Sequence, residues 1–360
     1  MAVAVAVLFI GISFLGGLAL ADEKVFFTAS NGAGGNEVIA IHMDRHGGMS
    51  VAATASTAGM GGTPDLGNQG GVLATHNGVI VVNAGSNTIA SLRYHHGDLD
   101  LESVVSSGGV RPISLTSHNN EVCVLNEGSA TVSANVSCFK LNDHGELKSI
   151  PGAMQSLGLG KGVAEVSFCN DGHALAITAK ATNEILTMRV HNKMPGGVMS
   201  FDTTVGAGRV PFGFRCADDV LITTFATSTL PGGPGGAGSY MIAHDGSVVA
   251  LTPFESDTRM AACWLALNRN ETVAYAINTP THDISSYHVE HDGEISLLDP
   301  IAATVGVAVT EAVTVGDGKF FVVLSPTTGE VFSYTIHHDG SLTAADILLL
   351  MPGINGLDGK

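Results

Sequence analysis

Tyr334-Thr335-Ile336-His337-His338-Asp339-Gly340-Ser341-Leu342-Thr343 alternates apolar and polar residues, turns on Asp-Gly, and resumes the alternation. Period-two alternation on both sides of a tight turn is the pattern of a β-hairpin. Relatives of this run recur at 287–293, 240–246, 138–145, 92–97 and 41–47. A weaker copy spans 188–197, where Asn192-Lys193-Met194-Pro195 is read as a lengthened turn. The turn glycines fall at 47, 97, 145, 196, 246, 293 and 340, so successive copies lie 47 to 51 residues apart. Seven copies at that period, each built of short strands, predict an all-β, seven-bladed β-propeller of four-stranded blades.

The same alignment gives the rest of each blade. Inner strands are expected near 71–75, 112–116, 164–168, 211–215, 262–267 and 309–315, each followed by an Asn/Asp/Gly turn and a more apolar second strand. Val25 to Asn31 aligns with the second strands around Val79 and Phe320, so the first repeat lacks an inner strand of its own. An open edge would leave backbone groups unpaired. The C-terminal run Gly353-Ile354-Asn355-Gly356-Leu357-Asp358 is therefore expected to close the ring beside residues 25–30. Leu230 to Gly236, rich in Gly and Pro, is read as a surface loop interrupting the fifth blade. Gly59 to Gly71 lacks the strand–helix setting of a phosphate loop.

The chain has 360 residues, and as a closed ring of repeats residues 22–360 form one domain. Its 16 basic and 33 acidic residues give a net charge of −17. That field repels nucleic acid and anionic membranes, and small anions too unless positive charge is gathered locally. Residues 1–21 are apolar and end in Ala19-Leu20-Ala21, a small-x-small pattern that predicts a cleaved secretory signal peptide and an extracellular protein; the alternative is an uncleaved anchor. Asn135-Val136-Ser137 and Asn270-Glu271-Thr272 are candidate glycosylation sites. Of five cysteines, Cys123 and Cys138 flank one hairpin and are placed to oppose each other. Cys169 and Cys216 occupy matching positions on neighbouring repeats, where a bridge between blades is possible. Five buried thiols remain the alternative.

Fifteen histidines invite a metal site, but nine of them sit at the same turn of successive repeats. Adjacent sheets are about 10 Å apart, whereas zinc ligands lie within about 2.1 Å of the ion. No metal or other cofactor is expected. A second pattern opens four consecutive inner strands: Arg111, Lys161, Arg209 and Arg259. In a propeller that register rings one channel mouth, giving a collar able to bind a carboxylate or phosphate; pairing with nearby carboxylates is the plainer reading. Glu165 and Glu311 each stand six residues before the Asp of an inner turn, and Cys263 holds the equivalent place before Arg269. A channel Glu, partly desolvated, is a candidate general acid or base.

Asn83-Ala84-Gly85-Ser86-Asn87-Thr88-Ile89, Ser107-Gly108-Gly109-Val110-Arg111-Pro112, Pro211-Phe212-Gly213-Phe214, Ala262-Cys263-Trp264 and Pro352-Gly353-Ile354-Asn355-Gly356-Leu357 resemble the seven-bladed propeller lactonase family, above all its secreted members. That family holds 3-carboxymuconate cyclases and 6-phosphogluconolactonases. The resemblance implies a small anionic lactone or carboxymuconate as substrate and no metal requirement. It does not carry over a catalytic histidine: the inner-strand starts here read Pro112-Ile113-Ser114 and Val163-Ala164-Glu165, and His76 and His118 lie at strand ends. Two functions follow. In one, Glu165 and Glu311 move protons while Arg111, Lys161, Arg209, Arg259 and Cys263 contact substrate, in lactone hydrolysis or cycloisomerisation. In the other, the protein is a non-catalytic secreted or surface binding propeller, and a stoppered channel would favour that reading. Protein partners are not legible.

Overall fold

The run at Tyr334 forms the two outermost strands of a blade: Glu330–Ile336 pairs antiparallel with Leu342–Leu349, Ile336 opposite Leu342. The computed structural model describes residues 24–62, 66–76, 78–203, 209–227 and 234–359; the apolar leader expected over 1–21 lies outside them. Seven four-stranded antiparallel sheets account for all the strands among the described residues. Their inner strands neighbour one another in a closed circuit: Val72–Thr75, Pro112–His118, Val163–Cys169, Arg209–Ala217, Ala262–Leu267, Thr310–Val315 and Asn355–Gly359. We number the blades one to seven in chain order, blade one being the composite of both termini.

Ring closure takes the expected form. Asn355–Gly359 lies beside Lys24–Ala29, with Phe26 opposite Gly359 and Thr28 opposite Leu357. The Asp358 carboxylate then accepts the Ala74 N–H at 2.8 Å, tying the closing strand to blade two.

Burial explains why the second strands read as continuous apolar runs. Gly78–Asn83, Ala174–Ala179 and Phe320–Ser325 are buried at every residue because both faces of each sheet pack on neighbouring blades. Phe321 shows the seam in detail, its ring 5.0 Å from Tyr275 of blade six and 6.4 Å from Tyr334 of its own blade. The outermost strand Leu342–Leu349, farthest from the axis, alternates between part-buried and exposed residues along most of its length instead.

Two local expectations are corrected. Asn192 and Lys193 both adopt positive φ, 51° and 64°, and His191 pairs directly with Met194. The turn is therefore a tight two-residue one rather than a lengthened one, and Gly196 lies inside the strand Met194–Asp202. Gly235 and Gly236 likewise belong to a strand, Pro234–Ile242, not to a surface loop. A Cβ on Gly236 would stand 2.3 Å from the Glu255 carbonyl oxygen, so the close strand approach demands glycine.

Disulfides join Cys123 to Cys138, directly opposed within blade three, and Cys169 to Cys216, across blades four and five. Cys263 is free of any disulfide. Disulfides persist in oxidising compartments and are rare in the cytosol, so the two bridges point to an extracytoplasmic location.

Candidate functional site

The inner strands do not pair residue for residue with their neighbours. At Ile113, Ala164, Cys263 and Glu311 the register skips one residue, leaving a bulge. Bulges re-aim side chains, and these fall at one level of the ring.

At that level the channel gathers Glu165, Arg215 and Glu311. Glu165 Oε1 accepts a hydrogen bond from Arg215 Nη1 at 2.5 Å, and Oε2 accepts the Phe214 N–H at 2.6 Å. Glu311 accepts the Gly70 N–H through Oε1; its Oε2 is buried with no hydrogen-bond partner among the described residues. Both glutamates are 2 % exposed, whereas the Arg215 side chain retains 29 %. Burial pushes the Glu165 carboxyl up to about 7, against the pull of Arg215 and the Phe214 N–H. Burial pushes Glu311 up to about 8, with the Gly70 N–H and Arg215 pulling down and the Glu165 charge pushing further up. Near neutrality such a group holds one ionised and one protonated carboxyl, the complement needed for acid–base chemistry.

One end of the channel is stoppered. Before becoming the inner strand of blade two, the chain passes through the ring as Asn68-Gln69-Gly70, bonding to five other blades, including blade one through Asn355 Nδ2, which donates to Asn68 Oδ1 at 3.3 Å. Asn68 Nδ2 donates to the Ile113 carbonyl, the Leu115 N–H donates to the Gly70 carbonyl at 2.8 Å, and the Gln69 N–H donates to the Ala164 carbonyl at 3.2 Å. The Gln69 amide engages Leu265 twice, donating to its carbonyl at 2.8 Å and accepting its N–H at 3.1 Å. That side chain satisfies the exposed edge of blade six as an added strand residue would. Trp264 Nε1 donates to the Asn68 carbonyl at 2.7 Å, and Lys180 Nζ to the Gly67 carbonyl at 2.5 Å. Gly70 has φ +83° and sits against the Ser114 hydroxyl, a place that admits no side chain without strain.

The four cations expected as a collar do stand before or at the inner strands, but each is already engaged, and Arg259 lies near the end of blade five's outermost strand Val248–Met260, reaching across to blade six, rather than opening an inner strand. Arg111 Nε lies 3.0 Å from Glu127, Lys161 Nζ lies 2.5 Å from Glu184, and Arg259 pairs with the buried Asp283. Arg209 lies over the Phe254 ring, 3.3 Å from its centroid. Cys263, at its bulge, directs Sγ to the Ala261 carbonyl at 3.1 Å. The structure thus pairs Glu165 with Arg215, sets the buried Glu311 near enough to feel both charges, and leaves the collar cations at the rim. Arg215, which completes the group, was not singled out from the sequence. Its signal is its place: a cation inside an inner strand rather than at its start.

The remaining sequence candidates lie elsewhere. Asn135 is 8 % exposed, and its Oδ1 accepts hydrogen bonds from Asn126 and Ser137. Folding therefore takes this sequon out of solvent, correcting its reading as a glycan site; Asn270 is exposed in a turn. His118 ends an inner strand, 4.0 Å from Asp171.

No protein-family model matches the chain, and comparison with curated proteins finds no match. Solved structures do match. A Bacteroides uniformis protein provisionally named a 6-phosphogluconolactonase superposes with TM-score 0.72 at 16 % identity, covering 94 % of this chain and 100 % of that one. A Bacteroides fragilis protein provisionally given the same name has TM-score 0.68 at 14 % identity, covering 96 % and 100 %. A periplasmic gluconolactonase of Pseudomonas aeruginosa has TM-score 0.58 at 14 % identity, covering 77 % and 82 %. At such identities the likeness is one of fold: this chain is a seven-bladed propeller matching, over most of its length, proteins named as lactonases.

Proposed function

We propose that this protein is a secreted lactonase-type propeller that hydrolyses the ring of a small anionic lactone, or cyclises a carboxymuconate, in its central channel. The observation that carries this reading is the pair of buried channel glutamates, Glu165 bonded to Arg215 and Glu311 raised by burial beside that charged pair. The names of the structural neighbours support it, and the apolar leader and two disulfides support the secretory address. Glu165, ionised beside Arg215, takes a proton from water as the water oxygen adds to the lactone carbonyl carbon. Arg215 stabilises the negative charge that forms on the carbonyl oxygen. The ring C–O bond then breaks, and Glu311 gives its proton to the departing oxygen. Cyclisation of a carboxymuconate consumes no water: a substrate carboxylate oxygen adds to one carbon of the double bond while Glu311 gives its proton to the other. Substrate reaches the group from the mouth opposite the stopper, toward which the part-exposed Arg215 is turned. The rim cations, each already paired or stacked, take no direct part.

A second reading, a non-catalytic binding propeller, is favoured by the stopper itself. Incubating the purified protein with a panel of aldonolactones and carboxymuconates separates the two. The catalytic reading expects turnover that Glu165→Gln and Glu311→Gln each reduce by about 10²-fold or more. Absence of turnover across the panel leaves the binding reading.

A further inference from the structure

We infer that Asn68-Gln69-Gly70 is a movable stopper latched by Glu311: neutral Glu311 keeps it seated, and ionised Glu311 draws water into the channel and releases it. The inference stands whether or not the channel turns over a lactone, since it rests on how the stopper is held.

The geometry has two parts. Most of the bonds that seat the segment do not titrate: the paired Gln69 amide, the Trp264 indole on Asn68, and the backbone bonds to Ala164 and Leu115. One bond does, that from the Gly70 N–H to Glu311. This carboxyl is enclosed by the stopper, and its second oxygen finds no partner among the described residues. A buried carboxylate with one oxygen unsatisfied is costly, while the protonated acid is tolerated.

The direction with pH follows from linkage. In the seated state the Glu311 carboxyl is pushed up to about 8; in a hydrated, open channel it returns toward the ordinary range of about 4.3. The seated state therefore binds a proton that the open state has released, so rising pH favours opening. The other ionisable groups on neighbouring elements are Glu165 and Arg215 from blades four and five, Cys263 from blade six and Asp358 from blade one. The stopper carries none; Lys180 donates to the Gly67 carbonyl and stands 4.9 Å from the Phe212 ring centroid. Glu165 changes charge over a similar range, and a free thiol such as Cys263 ordinarily does so at about 8.5; Glu165→Gln and Cys263→Ser separate both from Glu311.

Trp264 is the sole tryptophan in the chain, and its indole is bonded to the stopper. Its emission and its quenching by acrylamide should be followed in the full protein from pH 6 to about 9.5, with far-UV circular dichroism alongside. Wild type should show a reversible red shift and about twofold or greater quenching that grow as pH rises toward about 8 and level off above it, with the sheet signal unchanged. Glu311→Gln, a permanent mimic of the protonated acid, should stay seated throughout, whereas Glu165→Gln and Cys263→Ser should keep the transition. Gln69→Ala, lacking the paired amide, should expose Trp264 at a lower pH than wild type. A flat wild-type profile overturns the inference, as does a transition unchanged in Glu311→Gln or one accompanied by loss of sheet signal. Should Glu311→Gln fail to fold, a Gln69→Ala profile identical to wild type overturns it equally.

Discussion

Arg215 Nη1 lies 2.5 Å from Glu165 Oε1, across the seam between blades four and five. Removing the guanidinium leaves a buried carboxylate without its countercharge, a loss of about 3–5 kcal/mol for a buried pair. Because Arg215 is 29 % exposed, the lower end applies. Arg215→Met is expected to lower the urea midpoint accordingly, and Glu165→Gln by less, since the amide still accepts the Phe214 N–H. The double variant should recover part of the loss, and a double-mutant cycle on urea unfolding measures the coupling. Additive effects would show that the pair contributes nothing jointly.

Stability should fall as pH rises through neutrality. Glu165 and Glu311 titrate near 7 and 8 in the folded chain and near 4.3 when unfolded. Between those limits the native state holds protons that the unfolded state has lost, so unfolding becomes easier with each pH unit. Asp257, also pushed up chiefly by burial, acts in the same sense. Surface carboxylates held low by turn hydrogen bonds, such as Asp44 and Asp339, act oppositely and destabilise only in acid. The melting temperature is therefore expected to be higher near pH 5.5 than near pH 8.5. Glu311→Gln should flatten that difference; an optimum at pH 8 or above would refute it.

How much of this was legible in the sequence depends on what carries the information. Blade period, strand order and ring closure were legible because period-two alternation and the Asp-Gly turns are local, and because residues 25–30 visibly lacked an inner partner. Glu165 and Glu311 were legible as channel candidates from their shared offset to the inner turns. Arg215 was missed because attention to strand starts favours Arg111 and Arg209. It reaches Glu165 past Gly213, where the pairing skips from Pro211 to Phe214. The stopper was missed for another reason. Asn68-Gln69-Gly70 bonds mainly to the backbone edges of the inner strands, and a backbone edge has no sequence signature.

The two disulfides should contribute unequally. Chain-entropy reasoning makes a crosslink worth more the longer the loop it closes: about 3 kcal/mol for the 15-residue separation of Cys123 and Cys138, and about 4 kcal/mol for the 47 residues between Cys169 and Cys216. Cys169→Ser/Cys216→Ser should therefore lower the thermal midpoint more than Cys123→Ser/Cys138→Ser. The former also unties two blades, whereas the latter leaves a hairpin already held by its ladder. The reverse order in calorimetry would place the stabilisation in native-state packing rather than in the unfolded chain.

Deleting residues 354–360 should be the most damaging truncation for its length. Asn355–Gly359 supplies the only inner strand of blade one, and without it Lys24–Ala29 becomes an open edge facing the channel. Ile354 and Leu357, both buried, leave the core shared by blades one and seven, and Ala74 loses the Asp358 carboxylate that ties blade two to the closure. Two buried aliphatic side chains are worth about 3–6 kcal/mol in burial alone, a large part of the 5–15 kcal/mol that holds a typical domain together. The exposed edge adds a route to intermolecular strand pairing. The truncated protein is expected to aggregate or to lose its cooperative thermal transition. A synthetic peptide of residues 353–360 supplied in trans should restore part of that transition by reoccupying the vacant edge, and a truncated chain that melts like wild type would show that the ring holds without its clasp.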